Sequence, residues 1–451
     1  MSDIKLSQLP VLATLPLEVA IVPVVQGGVT YAVPLAQTRE GVWMPPPDTA
    51  ANNVINLQAA ITAATTSTVG KKVFVPAGTY DLNNTVYAQN VFGLQLIGSG
   101  MQTVFNWTLN DNTKPMFKLY GRQCVFSSFQ MTFAQVCYAG IQILRDNAGT
   151  HTVTPTNNRL ENVFISGSAK AVYGVMLGGT GSTDANNDFN VIEQCGINNY
   201  TDTGVYVGGT QSYGNRILNS RIVGDGVNSQ YAVNSGGAGG CYSVMGGTAG
   251  GHLTADFGVG RHYQPYRIQD VVSEGSSRFL SAPSALWRVI FVEGCRYAGN
   301  ALNADLKAVK IDGYGKYFMR GNRFGDGQAT IAALTLEFLN LGSLSNVSFD
   351  GNDLFTTSGH VLGSITPDSF VKNTKITDEG LFTTGSAVAL IGGLDTGDAL
   401  IEAAITNPDL KRSLIQSVEL LAKYDSGELL PENIVIDPDK KKAYLHEALV
   451  A

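Results

Sequence analysis

The chain has 451 residues, 30 Lys and Arg against 37 Asp and Glu, and a formal net charge of −7. Charged residues make up 15%, against roughly 25% in ordinary globular proteins, and the 51 glycines exceed the usual share of about 7%. A thinly acidic chain without a basic stripe is unsuited to nucleic acid, and no apolar run of about 18 offers a membrane span.

From the N-terminus, "MSDIKLSQLPVLATLPLEVAIVPVV" is apolar but broken by Pro10, Pro16 and Pro23, and it lacks a basic leader, so no signal peptide is expected. The stretch around Gln26-Gly27-Gly28 reads as two or three short strands meeting at a turn. "WMPPPDTAAN" (43–52) reads as a stiff polyproline linker. Leu57, Ala60, Ile61 and Ala64 then form one helical face, closed by "TTSTVG" and followed by the strand "KVFVP". A helix here would cover the open end of whatever sheet follows, an edge otherwise prone to pairing with other chains.

Beyond it the chain repeats. Aligned on Leu160, Ile192, Ile217, Ile268, Met319 and Leu344, short alternating stretches recur at steps of 32, 25, 51, 51 and 25. A period near 25 with variable insertions is the signature of a solenoid, and the units carry β-branched residues, Asn and Gly with little helical periodicity. The fold class expected is all-β: a right-handed parallel β-helix spanning 53–394, behind its capping helix. Leu160, Val163 and Ile165 would point inward and stack coil on coil.

Acid–glycine pairs punctuate the repeats: Asp225-Gly226, Glu274-Gly275, Glu293-Gly294, Asp326-Gly327 and Asp350-Gly351. As turn chemistry, glycine supplies a positive φ and the acid caps nearby amides, and the repetition favours this architectural reading. As catalysis, Glu274 and Glu293 lie one short coil apart. Strands stack at about 4.8 Å, close to the ~5–5.5 Å between the carboxyls of a retaining glycosidase, and mutual repulsion would raise one pKa. Asp225, Asp270 or Asp312 would be a third carboxylate on that face.

The doubled gap between Ile217 and Ile268 holds a glycine-rich stretch, 236–266. Its Tyr242, His262 and Tyr263, with Trp287 and the pair Arg296-Tyr297 further on, are the candidate residues for sugar faces. The alternative is one ordinary coil with glycine-rich corners. His252 and Asp256 are too few for a metal site, and neither metal nor cofactor is expected. The five cysteines (124, 137, 195, 241 and 295) form no CxxC and read as buried thiols.

From 395 to 451 the composition turns helical. Asn407 and Pro408 begin a helix that Gly427 ends, with a seam of Leu410, Leu414, Ser417, Leu421 and Tyr424, and a hairpin around Asp437-Pro438-Asp439 follows. This reads as an oligomerisation or interaction module.

Residues 52–100 closely resemble the opening of the pectate-lyase-like β-helix superfamily, which includes polysaccharide lyases, polygalacturonases and bacteriophage tailspikes. The usual acidic cluster before the helix is replaced here by "TAANNV". Neither a polygalacturonase-like set of aspartates with "HG" and "RxK" nor a lyase-like calcium cluster is found. Residues 1–42 resemble a leader of phage virion proteins, on "LP", "VPVVQGGVT" and "PLA". The resemblances imply a tailspike or tail fibre made in the host cytoplasm, a homotrimer attached to other virion proteins through its N-terminus and meeting a host surface polysaccharide. The other readings are a depolymerase on the same scaffold and a purely structural capsid or tail fibre.

Overall fold

The computed structural model describes residues 41–355, with interruptions at 67–70, 146–153, 180–186, 210–211, 237–239, 261, 263, 284–286, 300–306, 314, 326–334 and 340–345, and the strands Ile21–Gln26, Val29–Pro34, Phe370–Lys372, Lys375–Thr377, Ile434–Asp437 and Lys442–Leu445. It is a parallel β-helix. Each coil contributes strands to a first face, bends, continues along a second face, and returns through a third face, a ten-stranded parallel sheet from Val86–Phe92 to Thr335–Leu339.

Registry confirms the repeat. Val73, Leu96, Phe126, Leu160, Ile192, Ile217, Val244, Ile268, Val292 and Met319 stand in one column on successive coils, every one buried. Each of the two doubled steps in the sequence alignment therefore holds an unrecognised rung, Val244 in the first and Val292 in the second. The next rung after Met319 is Phe349 rather than the aligned Leu344, which lies outside the described residues, because the intervening coil is longer than the repeat. Burying one such side chain stabilises by roughly 1.5–3 kcal/mol, but only once the neighbouring coil is there to cover it.

The helix Ala50–Thr66, α1, lies across the first coil through Leu57, Ala60, Ile61 and Ala64, the face expected, together with the buried Asn53. Asn53 Nδ2 donates to the Asp81 carbonyl at 3.1 Å, fastening the cap to the first coil. The helix starts earlier than expected because Thr49 Oγ1 accepts the Asn52 N–H as its N-cap. The linker is correspondingly shorter than 43–52, since Val42–Trp43 already pairs with Val73–Phe74.

The corner between first and second faces answers the acid–glycine question. On nine successive coils a left-handed residue stands at this corner: Ser128, Asn162, Gln194, Asn219, Gly246, Asp270, Gly294, Gly321 and Gly351, with φ between 47 and 68°, and on one coil Gly247 follows Gly246 with a φ of 88°. Two of the five pairs, Glu293-Gly294 and Asp350-Gly351, sit there. Glu274-Gly275 and Asp225-Gly226 instead end second-face strands, and Asp326-Gly327 lies outside the described residues, so the pairs are not one equivalent set. Asp225 behaves as turn chemistry demands: burial works against its charge, yet the amides of Val227, Asn228 and Ser229 hold its carboxyl below the ordinary carboxylate range.

Asparagine ladders fix the other polar edges. Each side-chain carbonyl of Asn158, Asn190 and Asn215 accepts the backbone N–H of the equivalent residue one coil before, at 3.0 Å, and Asn322 and Asn352 do the same further along. All five cysteines are buried and free. The terminal hairpins form as expected, Ile21–Gln26 against Val29–Pro34 and Ile434–Asp437 against Lys442–Leu445. The helix expected around 407–427 lies outside the described residues. No helix among the described residues is long and apolar enough to cross a membrane.

Candidate functional site

The outer surface of the second face is set by two columns. One runs Arg221, Thr248, Val272, Arg296 and Arg323; the other, two residues further along each strand, runs Val223, Gly250, Glu274 and Ala298. Three coils thus place an arginine, a glycine and a glutamate side by side. The glycine coil belongs to the 236–266 stretch, whose strands Tyr242–Gly250 and Ala255–Gly258 pair in register with the coils on either side. A Cβ on Gly250 would sit 2.2 Å from the Glu274 carbonyl, so only glycine lets the two strands approach there.

The missing side chains leave a groove of about 410 Å³, lined by Arg221, Val223, Thr248, Ala249, Gly250, Gly251, Val272 and Glu274. That volume is within the range of small-molecule sites. Arg221 and Glu274 are exposed on opposite walls, on strands two spacings or about 10 Å apart. Arg221 is steadied by a hydrogen bond from Nη1 to Asn198 Oδ1 at 3.1 Å. Arg296, also exposed, stands on the coil beyond Glu274.

A buried polar network braces this groove from inside. Asp256 accepts hydrogen bonds from His252 Nδ1 at 2.7 Å, from Ser276 Oγ at 2.5 Å and from Ser273 Oγ. Tyr200 donates its hydroxyl to His252 Nε2 at 2.5 Å, and burial raises the proton affinity of that phenol well above its ordinary value. Ser273 and Ser276 flank Glu274-Gly275, while His252 follows the floor residues Gly250-Gly251. The network holds floor and wall together without reaching solvent: its five side chains belong to residues no more than 2% exposed. The His252–Asp256 pair is thus a structural brace, and among the described residues no group of three or more His, Cys, Asp or Glu gathers.

The other expected site residues scatter. Glu274 and Glu293 do not share a column: Glu293 pairs with Gln269 and Arg320 on the first face, Glu274 with Gly250 and Ala298 on the second. A full coil there runs from Ile268 to Val292, and the sequence distance between the two glutamates is shorter than that. They therefore fall on opposite sides of a corner. Tyr242 and Tyr297 are corrected from the surface to the core. Each is 1% exposed, with Tyr242 edge-on to Tyr266 at 5.2 Å and Tyr297 donating to the Ser276 carbonyl at 2.9 Å. They fill the bore because their strand positions alternate inward. His262 is buried too, accepting the Gln264 N–H at 2.9 Å, and burial lowers its proton affinity. Trp287 is half-buried, and Tyr263 lies outside the described residues.

The register brings together a different pair, Glu161 and Glu193, on adjacent coils of the first face. Arg159 forms ion pairs with both. The signal was present in "RLEN" and "VIEQ", which place an acid immediately after the aligned Leu160 and Ile192.

No family model and no curated protein matches the chain. Among solved structures it is similar to the A-module of a mannuronan C-5 epimerase of Azotobacter vinelandii, at 14% identity and a TM-score of 0.45, covering 72% of this chain and 95% of that one. It is similar to the Dettilon tailspike protein at 12% identity and a TM-score of 0.45, covering 80% and 69%. It is also similar to PfbA, a surface adhesin of Streptococcus pneumoniae, at 11% identity and a TM-score of 0.47, covering 76% and 88%. Likenesses of this extent carry no statement about activity.

Proposed function

We propose that the protein is a glycan-recognising rod, the stiff part of a trimeric phage virion appendage, and that the groove between Arg221 and Glu274 binds a surface polysaccharide without cleaving it. The observation that carries the proposal is the glycine-floored trough with a guanidinium on one wall and a carboxylate on the other, next to Arg296. A donor and an acceptor on strands about 10 Å apart suit the hydroxyls and carboxylates of an extended saccharide chain. Binding is favoured over cleavage because the register separates Glu274 from Glu293, and Glu274 faces Gly250 and Ala298 rather than a second acid. The virion role is supported by the leader-like sequence of residues 1–42 and by its hairpin.

Screening the purified protein against arrayed bacterial surface polysaccharides tests the reading. Binding to at least one of them, weakened tenfold or more by Arg221→Ala and by Glu274→Gln without loss of fold, is the expected outcome. An array silent for the folded wild type, or variants that bind unchanged, overturns it.

One observation favours cleavage as a second reading: Glu161 and Glu193 stack at the strand spacing of about 4.8 Å, near the separation of a retaining pair. Arg159 opposes it by ion-pairing both, which ties the two carboxyl groups to a guanidinium rather than leaving them open to a substrate. Release of reducing ends that disappears in Glu193→Gln would establish this reading in place of binding.

A further inference from the structure

The corner between third and first faces has its own column of left-handed residues. Gly93, Gln123, Asn157, Phe189 and Gly214 turn successive coils with φ of 72, 57, 57, 56 and 68°. The register is fixed by a repeated hydrogen bond, in which the N–H of each donates to the carbonyl just before its counterpart on the next coil: Gly93 to Arg122, Gln123 to Thr156, Asn157 to Asp188 and Phe189 to Tyr213. Glycine takes this backbone without strain, and short or flexible polar residues tolerate it. A phenylalanine does not suit it, since a bulky side chain at positive φ is an outlier. Nor does burial compensate, because Phe189 is 47% exposed. Strain kept without a gain in packing is a mark of function.

The surroundings say what the ring does. Tyr213, 39% exposed, stands at 87° to Phe189 with ring centres 5.4 Å apart, so two exposed rings form a right-angled corner. Gly214 makes room: a Cβ there would meet the Phe189 ring at 2.4 Å. Beside the rings, Asp188 is 6% exposed and accepts the Tyr213 N–H through Oδ1 at 3.1 Å. Its Oδ2 makes no hydrogen bond or ion pair among the described residues. Burial raises the proton affinity of this carboxyl.

We infer that Phe189, Tyr213 and Asp188 form a second saccharide subsite, away from the groove, that takes one neutral pyranose with its C–H face on Phe189 and hydroxyls on Asp188. A pyranose matches the corner in both respects: its apolar face covers an aromatic ring, and its hydroxyls donate to a carboxylate that still has acceptor capacity. A protein surface closing over the rings would instead bury that carboxylate without a donor, at a desolvation cost. The inference rests on the glycan-binding reading, but it concerns a different place on the rod.

The test uses the full-length protein and the variant Phe189→Asn, which puts a residue suited to the corner in place of the ring. Methyl α-glucopyranoside, methyl α-galactopyranoside and methyl α-mannopyranoside serve as separate probes in saturation-transfer NMR. Expected are transfer to the ring protons of at least one probe with wild type, its loss in Phe189→Asn, its persistence in Arg221→Ala, and a thermal midpoint for Phe189→Asn no lower than that of wild type. Transfer that survives Phe189→Asn, or a wild type silent to all three probes, overturns the inference. So does a lowered midpoint or a reduced mass by light scattering, since the ring would then serve packing or subunit contact. The polysaccharide array judges the glycan reading separately: wild type and Phe189→Asn binding it alike would sink only this subsite, whereas a silent wild type would sink the reading beneath it.

Discussion

Replacing Asp256 by alanine removes the acceptor at the centre of the network beneath the groove. Three donors lose their partner: the His252 imidazole, Ser276 and Ser273. The two serine hydroxyls can rotate, and Ser276 Oγ still accepts the His252 N–H at 3.0 Å. The imidazole, whose other nitrogen Tyr200 fixes, keeps Ser276 Oγ at 3.2 Å as an alternative partner for Nδ1. An orphaned buried donor costs about 1–3 kcal/mol, so counting all three at the low end gives about 3 kcal/mol. At about 1.4 kcal/mol per decade this is roughly two decades in the local opening constant. Native-state hydrogen exchange by mass spectrometry reads it directly, on peptides containing His252 and Ser277, whose backbones are themselves bonded, Ser277 N–H to the His252 carbonyl at 2.8 Å. Asp256→Asn, which keeps the shape and one acceptor oxygen, should fall between alanine and wild type. Because the serines flank Glu274, Asp256→Ala should also weaken binding in the groove, although Asp256 is wholly buried. Protection within tenfold of wild type would refute the reasoning, and the network would then be ordinary filling.

Other outcomes follow from the same columns. Asn190→Ala strips the acceptor from the buried Asn158 N–H, and should destabilise by about 1–3 kcal/mol in urea unfolding, whereas Asn228→Ala on the exposed turn should cost much less. Gly294→Ala should be more damaging than Gly321→Ala when midpoints are compared: both have positive φ, but a Cβ at 294 meets Asp270 Oδ1 at 2.3 Å whereas at 321 it meets nothing within 4 Å. Burial pushes the thiols of Cys137, Cys195 and Cys295 up to about 12 and that of Cys124 to about 11, so a thiol reagent at pH 8 should label the folded protein hardly at all and expose all five cysteines only after denaturation. For Asp188 the sign is the reverse of an ordinary ion-paired carboxylate. Its folded pKa is raised, so its contribution to stability is full below the unfolded value near 3.8 and is lost as pH rises through the folded value. Asp188→Asn should therefore gain on wild type in thermal midpoint as pH rises from 4 to 7, and a gap that shrinks over that range would contradict the assignment.

The architecture was legible because stacking forces like residues into like places. A buried column tolerates only apolar side chains, so Leu160, Ile192, Ile217, Ile268 and Met319 align in the bare sequence, and the capping helix announces itself by its one apolar face. The site was less legible, for reasons that the same columns explain. A carboxylate pair on a solenoid requires equal positions on adjacent coils, not nearness in sequence, and Glu274 and Glu293 are closer along the chain than one full coil from Ile268 to Val292. Tyr242 and Tyr297 looked like sugar platforms because an aromatic beside glycine or arginine carries no mark of which way its strand alternates, and inward they close the bore instead. The groove itself is made of what is missing, glycines where the neighbouring coils carry side chains, and becomes visible only once Arg221, Thr248 and Val272 are known to be in register. Phe189 was hidden for the opposite reason. Its residue type is ordinary in a β-rich sequence, and it becomes anomalous only when the corner that it turns is seen to call for glycine or asparagine. A solenoid thus writes its stability into the side chains that its columns share, and the places where it meets other molecules into the positions that break a column.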